Sequence, residues 1–153
     1  MRSGVAAIAA SVVLLGGASS ALAVATHQEY VNTVNPICKD AAKSVKRIPK
    51  KIRPSGDPGF DAYRAGLLFS KILGNTTRRI AAVDPPPEDT PAVGAWIDGL
   101  RRQKRLTDRA LRAAKEGQVG KARTLGGRVT KLEKRNARRA AALGLPACAR
   151  TGR

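Results

Sequence analysis

The chain contains few of the residues that most metal sites and catalytic sites require. Its 153 residues include one His and two Cys, too few for a zinc site with four Cys or His ligands. Aromatic residues make up 3%, which is too little for a platform on which nucleic-acid bases stack. No pair of carboxylates can be placed across a pocket from the sequence. We therefore expect no enzyme activity, no metal and no other cofactor.

The first 25 residues have the three parts of a secretory signal peptide. Arg2 is the only charged residue, an apolar run follows, and Ala21-Leu22-Ala23 is a small-x-small cleavage motif. We expect residues 1–25 to be removed after Ala23 or Ala25, which leaves residues 26–153 as one exported domain. The alternative is an uncleaved transmembrane anchor, since residues 3–26 carry no charge and are long enough to span a bilayer.

The remaining sequence predicts four helices of similar length and no sheet. Apolar residues recur at helical spacing over residues 27–48, 58–83, 91–116 and 119–143. Short connections between such helices are typical of antiparallel neighbours. The predicted fold is therefore all-α, an antiparallel up-down-up-down four-helix bundle that follows the signal peptide.

Proline, glycine and capping residues predict where these helices begin and end. Pro36 either kinks the first helix or starts a new one with Asn35 as its N-cap. Asp57 and Thr90 are the predicted N-caps of the second and third helices, each followed by a proline. Gly117 and Gly144 are expected to end the third and fourth helices.

The apolar stripes also predict which side chains enter the core. Trp96 is the expected core anchor, and Phe60 and Leu67 belong to a broad apolar face on the second helix. On the third helix the stripe runs through Ala92, Ala95 and Trp96 to Ala114. Gln103 and Asn136 fall on core stripes, so we interpret them as buried polar groups that set the register, not as ligands.

The two cysteines predict one structural disulfide. An exported chain with two Cys usually pairs them, because the compartment beyond the membrane is oxidising. In the predicted bundle the termini lie at one end, so the tail that carries Cys148 can fold back over the start of the first helix, where Cys38 lies. The absence of a CxxC spacing disfavours a redox or metal role for this pair.

Three sequence features together resemble a known group of proteins. They are the opening Tyr30-Val31 with Asn35-Pro36-Ile37-Cys38, the central Pro85-Pro86-Pro87 followed by Trp96, and the closing segment 143–148 that ends in Cys148. This pattern resembles small exported helical-bundle proteins of actinobacteria, some secreted and some lipid-anchored, with a cysteine near each end. The resemblance implies a helical bundle outside the cytoplasmic membrane, closed by one disulfide. It implies no catalytic or binding residue, and this chain lacks a cysteine for lipid attachment.

Positive charge is concentrated in the C-terminal third of the chain. The formal net charge is +18 at pH 7, and from Arg101 onward there are 17 basic and 3 acidic residues. Helical spacing arranges many of them in two stripes, which we predict to bind a polyanion: Arg101, Arg105, Arg109, Arg112 and Lys115 on the third helix, and Lys121, Arg128, Lys131, Arg135 and Arg138 on the fourth. The alternative is a solvated face without a ligand.

These features predict a non-catalytic protein of the cell envelope with a structural or interaction role. The expected partner is an anionic envelope component, either a lipid headgroup or a wall polymer. The alternative function is a cytoplasmic basic protein that binds nucleic acid, for which the charge suffices. The export signal, the cysteine pair and the lack of a base-reading motif disfavour it.

Overall fold

The computed structural model describes residues 26–150, and this part of the chain contains helices and no strand. The predicted signal peptide and both predicted cleavage sites lie outside the described residues. Six helices pack against one another: α1 (His27–Lys46), α2 (Ile48–Lys51), α3 (Pro58–Ala81), α4 (Thr90–Lys115), α5 (Val119–Ala142) and α6 (Pro146–Ala149). No helix between residues 26 and 150 is both long enough and apolar enough to cross a membrane.

Local side-chain chemistry explains where α1 and α3 begin. Thr26 and Glu29 form a capping box, in which each side chain accepts from the other residue's backbone N–H. The Asp57 carboxylate accepts from the backbone N–H groups of Gly59 and Phe60, and Pro58 is the first residue of α3. The prediction of Asp57 as an N-cap is therefore confirmed.

The predicted cap of α4 is wrong. Thr90 is the first helical residue, Asp89 is the N-cap, and Asp89 makes no capping hydrogen bond with its side chain. The Thr90 hydroxyl donates instead to the Pro86 carbonyl, 3.1 Å away. The Asp89 carboxylate contacts His27 instead, whose Nδ1 lies 2.6 Å from Asp89 Oδ2. This contact joins the starts of α1 and α4.

Pro36 does not begin a new helix, and the predicted first helix divides closer to Pro49. Helix α1 continues through Pro36, so the interpretation of Asn35 as the cap of a new helix is wrong. The predicted helix over 27–48 divides instead after Lys46, and one further turn, α2, begins at Ile48. Pro49 explains the division, because proline has no N–H to continue the ladder of α1 but fits the first turn of a new helix.

Glycines end α4 and α5 as predicted. Gly117 and Gly144 have φ values of +71° and +65°, in the left-handed region that favours glycine. At each end the next backbone N–H bonds back across the last turn, from Gln118 to Ala113 and from Leu145 to Ala140. This pattern is the Schellman motif, which satisfies carbonyl groups that the helix leaves unpaired.

Helix α4 runs antiparallel to both α3 and α5, as the contacts along each pair show. Ser70 of α3 contacts Asp108 of α4, and farther along the pair Gly74 faces Lys104. Between α4 and α5, Asn136 bonds Gln103 and Arg139 bonds the Ala95 carbonyl. The short α6 packs against both α5 and α1, so it links the last long helix to the first.

The two ends of the bundle differ in packing. The disulfide end comprises the start of α1, the end of α3, the Pro85–Pro87 connection, the start of α4, the end of α5, and α6. Most of the buried apolar residues lie there: Tyr30, Val34, Ile37, Cys38, Ile80, Val93, Trp96, Ile97, Ala140, Leu143, Leu145 and Cys148. The distal end comprises residues 47–60, the end of α4, the start of α5 and the turn between them. Its buried apolar residues are Ile48, Ala113 and Leu125.

The core confirms Trp96 and corrects the stripe around it. Trp96 is buried, but on either side of it Val93 and Ile97 are buried while Ala92 and Ala95 are exposed. Ala114, which the predicted stripe also included, is exposed as well. Phe60 and Leu67 of the predicted apolar face of α3 are 51% and 45% exposed. The bulky residues of α4 therefore enter the core. The part of α3 that carries Phe60 and Leu67 remains exposed to solvent.

The predicted disulfide between Cys38 and Cys148 is present. The Cα atoms are 5.0 Å apart across a sequence separation of 110 residues. Helix α6 brings Cys148 to α1, and the Ala147 backbone N–H donates to Asn35 Oδ1 at 3.2 Å. The bond thus fixes the last helix on the first and closes the disulfide end.

Gln103 and Asn136 form a buried polar pair between α4 and α5. Asn136 Nδ2 donates to Gln103 Oε1 at 2.9 Å, and both residues are less than 5% exposed. Asn136 Oδ1 has no hydrogen-bond partner and lies against Gly99, where a Cβ atom would overlap it. The two polar residues predicted on the core stripes therefore pair with each other.

Candidate anion-binding groove

Helices α4 and α5 form the walls of a cationic groove on the surface. Arg102, Arg105 and Arg109 follow a spacing of three and then four residues along α4, and Arg128, Lys131 and Arg135 repeat the same spacing on α5. This spacing puts each set on one helix face. Each set extends over two turns, or about 10.5 Å at 1.5 Å per residue. We call this feature, with a volume of about 720 Å³, the α4–α5 groove.

The α4–α5 groove has an apolar floor and no acidic wall. Leu106 and Leu132, both half-buried, complete its lining, which includes no Asp or Glu. Within residues 26–150, none of the six cationic side chains forms an ion pair. Their mutual repulsion is therefore not balanced by a neighbouring carboxylate, and an anion in the groove would relieve it.

A buried hydrogen bond joins the two helices that form the groove. Asn136 donates to Gln103, and these two residues follow Arg135 and Arg102, which line the α4–α5 groove. The Arg139 guanidinium adds a second link by donating to the Ala95 carbonyl at 2.9 Å. The walls of the α4–α5 groove are thus held by contacts that do not involve its own cations.

The structure brings together some of the predicted polyanion-binding residues and separates others. Five of them lie in the α4–α5 groove: Arg105, Arg109, Arg128, Lys131 and Arg135. Arg112 and Lys121 line a smaller cleft at the distal end, with Glu116 among them. Arg138 is exposed and outside the groove.

Arg101 of the predicted stripe does not lie in the α4–α5 groove. Its guanidinium pairs with Asp98 at 3.0 Å, and it lines a different depression between α3 and α4 together with Lys71, Arg78 and Lys104. Arg102, which the predicted stripe omitted, takes its place in the α4–α5 groove. The sequence pattern that could have identified Arg102 is the shared spacing of three and then four residues in 102–105–109 and 128–131–135.

A serine, an aspartate and a lysine also meet between α3 and α4. Ser70 donates its hydroxyl to one oxygen of Asp108, and Lys104 Nζ donates to the other at 2.6 Å. Burial raises the pKa of Asp108, but the hydrogen bonds from Lys104 and Ser70 and the nearby positive charges outweigh it and lower the pKa overall. The cluster therefore joins α3 to α4.

A small cavity of about 60 Å³ lies in the core beside the disulfide. Its walls are largely apolar, and Glu133 of α5 is the acidic residue that lines it. Burial raises the pKa of Glu133, because the charged carboxylate is poorly solvated there. The cavity is large enough to hold water. Within the described chain, no three His, Cys, Asp or Glu residues are grouped so that they could hold a metal ion.

No family model, no curated protein and no solved structure matches this chain.

Proposed function

We propose that the protein binds phosphate-bearing anions in the α4–α5 groove and acts as a non-catalytic component of the cell envelope. The observation that carries the proposal is the set of six cations on two facing helices without a carboxylate among them. Five of the six are arginines, whose planar guanidinium groups bind phosphate through two parallel hydrogen bonds. The partner is a wall polymer or a lipid headgroup, since both can carry the phosphate groups that these cations would bind.

We also propose that the chain is exported. The support is the leader-like sequence of residues 1–25 together with a cysteine pair at bonding distance, because disulfides persist in oxidising compartments. The resemblance to small exported actinobacterial proteins points the same way. Mass spectrometry of the native protein tests this proposal: we expect the chain to begin at Val24 or Thr26, and a chain that begins at Met1 would contradict cleavage.

The antiparallel up-down-up-down four-helix topology is the arrangement that we propose for α1, α3, α4 and α5. Its support is the antiparallel contact of neighbouring helices and the position of α6 against both α1 and α5. In this arrangement the α4–α5 groove lies on an outer surface, open to a long polymer. The disulfide lies at one end and leaves the groove free.

A soluble polymer tests the groove without a membrane. We would measure binding of fluorescently labelled inorganic polyphosphate by anisotropy, at about 0.1 M salt. The groove variant combines Arg105→Gln, Arg128→Gln, Lys131→Gln and Arg135→Gln. Its matched control removes four exposed cations near the end of α1 and in α2, with Lys43→Gln, Lys46→Gln, Lys50→Gln and Lys51→Gln.

The two variants have the same net charge, so they separate a site from a general attraction. We expect the groove variant to lose at least tenfold in affinity and the control to lose less than about threefold, because close charge-assisted contacts outweigh distant screened charges. Equal losses in both variants would contradict the proposal and would support a solvated basic surface. Circular dichroism would verify that both variants keep the helical fold.

A further inference from the structure

We propose that the outer face of the first half of α3 docks on the surface of an anionic lipid bilayer. This face is distinct from the α4–α5 groove, and the proposal does not depend on the groove. Its first basis is exposure: among the described residues, the large apolar side chains that are exposed are Phe60, Leu67 and Val119. Two of these three lie on α3.

Phe60 and Leu67 share one face of α3. They are seven residues apart, which is two helical turns, or about 10.5 Å along the axis. Tyr63 and Arg64 lie between them on the same face, and Lys71 follows Leu67 by four residues. We call these five residues the α3 face. It is an alternation of apolar, aromatic and cationic side chains at helical spacing.

The charges on and around the α3 face suit an anionic surface. The Arg64 guanidinium carbon lies 5.8 Å from the centroid of the Phe60 ring, and its Nη1 donates to the Arg53 carbonyl. The two nearby carboxylates are engaged in the turn before α3: Asp57 caps the helix, and Asp61 accepts from the Ser55 backbone N–H. Each cation beside a membrane adds attraction to anionic lipids.

The same features disfavour a protein occupant. A second copy of this chain would bring Arg64 and Lys71 against like charges, in a molecule whose formal net charge is +18. Two half-exposed apolar residues also provide far less area than the roughly 800 Å² per partner of a standard protein interface. A bilayer needs no fixed complementary shape, and it takes apolar side chains and lysine or arginine stems together.

Vesicle sedimentation tests the proposal with the secreted protein, its N-terminus verified by mass spectrometry. The vesicles contain phosphatidylcholine alone or with about 30% phosphatidylglycerol. The test variant is Phe60→Ser with Leu67→Ser, and its control is Val119→Ser with Ala114→Ser, two exposed positions outside the α3 face. We expect the test variant to bind anionic vesicles at least about tenfold more weakly, and the control to change less than twofold.

A gain-of-signal variant supplies an independent readout. Trp96 is buried, and it is the one tryptophan of the chain, so Phe60→Trp adds a fluorophore that reports on the α3 face. We expect its emission to shift to shorter wavelength when anionic vesicles are added, and to stay unchanged with soluble polyphosphate. Loss of vesicle binding only in the groove variant, with the serine variant unaffected, would overturn the proposal. So would a dimer in sedimentation that the serine variant abolishes.

Discussion

The contact between α4 and α5 makes a prediction at Gly99. A Cβ atom there would lie closer than 3.0 Å to Asn136 Oδ1, a separation that Cβ atoms do not adopt. Gly99→Ala must therefore displace the Asn136 amide, whose hydrogen bond to Gln103 is buried. Each buried polar group left unpaired costs about 1–3 kcal/mol, while alanine in a helix recovers about 1 kcal/mol relative to glycine. Loss of that bond leaves two groups unpaired, Asn136 Nδ2 and Gln103 Oε1, so we expect a net loss of about 1–5 kcal/mol in the free energy of unfolding.

Gly94 provides the matched control on the same helix. It is exposed, and no atom lies within 4 Å of the position that its Cβ would take. Gly94→Ala should therefore raise the free energy of unfolding by about 0.5–1 kcal/mol through helix propensity alone. Urea unfolding followed by circular dichroism measures both variants, with equal m values as the condition for comparison. If both substitutions stabilise the protein, the account of the Gly99–Asn136 contact is refuted.

Three further predictions concern the disulfide and two carboxylates. Cys38→Ser, Cys148→Ser and the double variant should lower the free energy of unfolding equally, by up to about 4.8 kcal/mol for a loop of 110 residues, and additive losses would contradict a single bond. Glu133→Gln should raise the melting temperature at pH 7, because a raised pKa means that the charged form destabilises the fold; this gain should vanish as the pH falls below 4.5, and a gain that persists there would contradict it. Asp108→Asn should lower the melting temperature at pH 7 and have little effect at pH 2, because a lowered pKa gives stability above pH 3.8 that is lost as the pH falls through the folded-state pKa. An effect of Asp108→Asn on the melting temperature that does not change with pH would contradict the stabilising contacts of Asp108 with Ser70 and Lys104.

Helix ends governed by short-range chemistry could be predicted from the sequence. Asp57, Gly117 and Gly144 act within one turn of their own position, so neighbouring residues determine their roles. Thr90 could not be predicted in the same way. Its role depends on the Pro86 carbonyl in the preceding turn and on His27 of α1, which takes the Asp89 carboxylate from 62 residues away.

The rotation of α4 about its axis explains the errors at the candidate site. Periodicity alone admits stripes that differ by one residue, which is about 100° of rotation. Packing selected the stripe with Val93 and Ile97, because bulky side chains bury more apolar area than Ala92 and Ala95. The same rotation places Arg102 in the α4–α5 groove instead of Arg101. The two facing sets of cations were therefore predictable as charge-rich stripes, but their alignment required the packed helices.

The salt dependence of polyphosphate binding tests the central claim about the α4–α5 groove most directly. Each phosphate contact that a cation makes contributes about 0.7 to the slope of log affinity against log salt for a flexible strand. The account predicts that the groove variant, which lacks four of the six groove cations, has a slope shallower than the wild type by about 2–3. The α1–α2 control should keep the wild-type slope within about 1. Identical slopes for the wild type and the groove variant would contradict binding of phosphate in the α4–α5 groove.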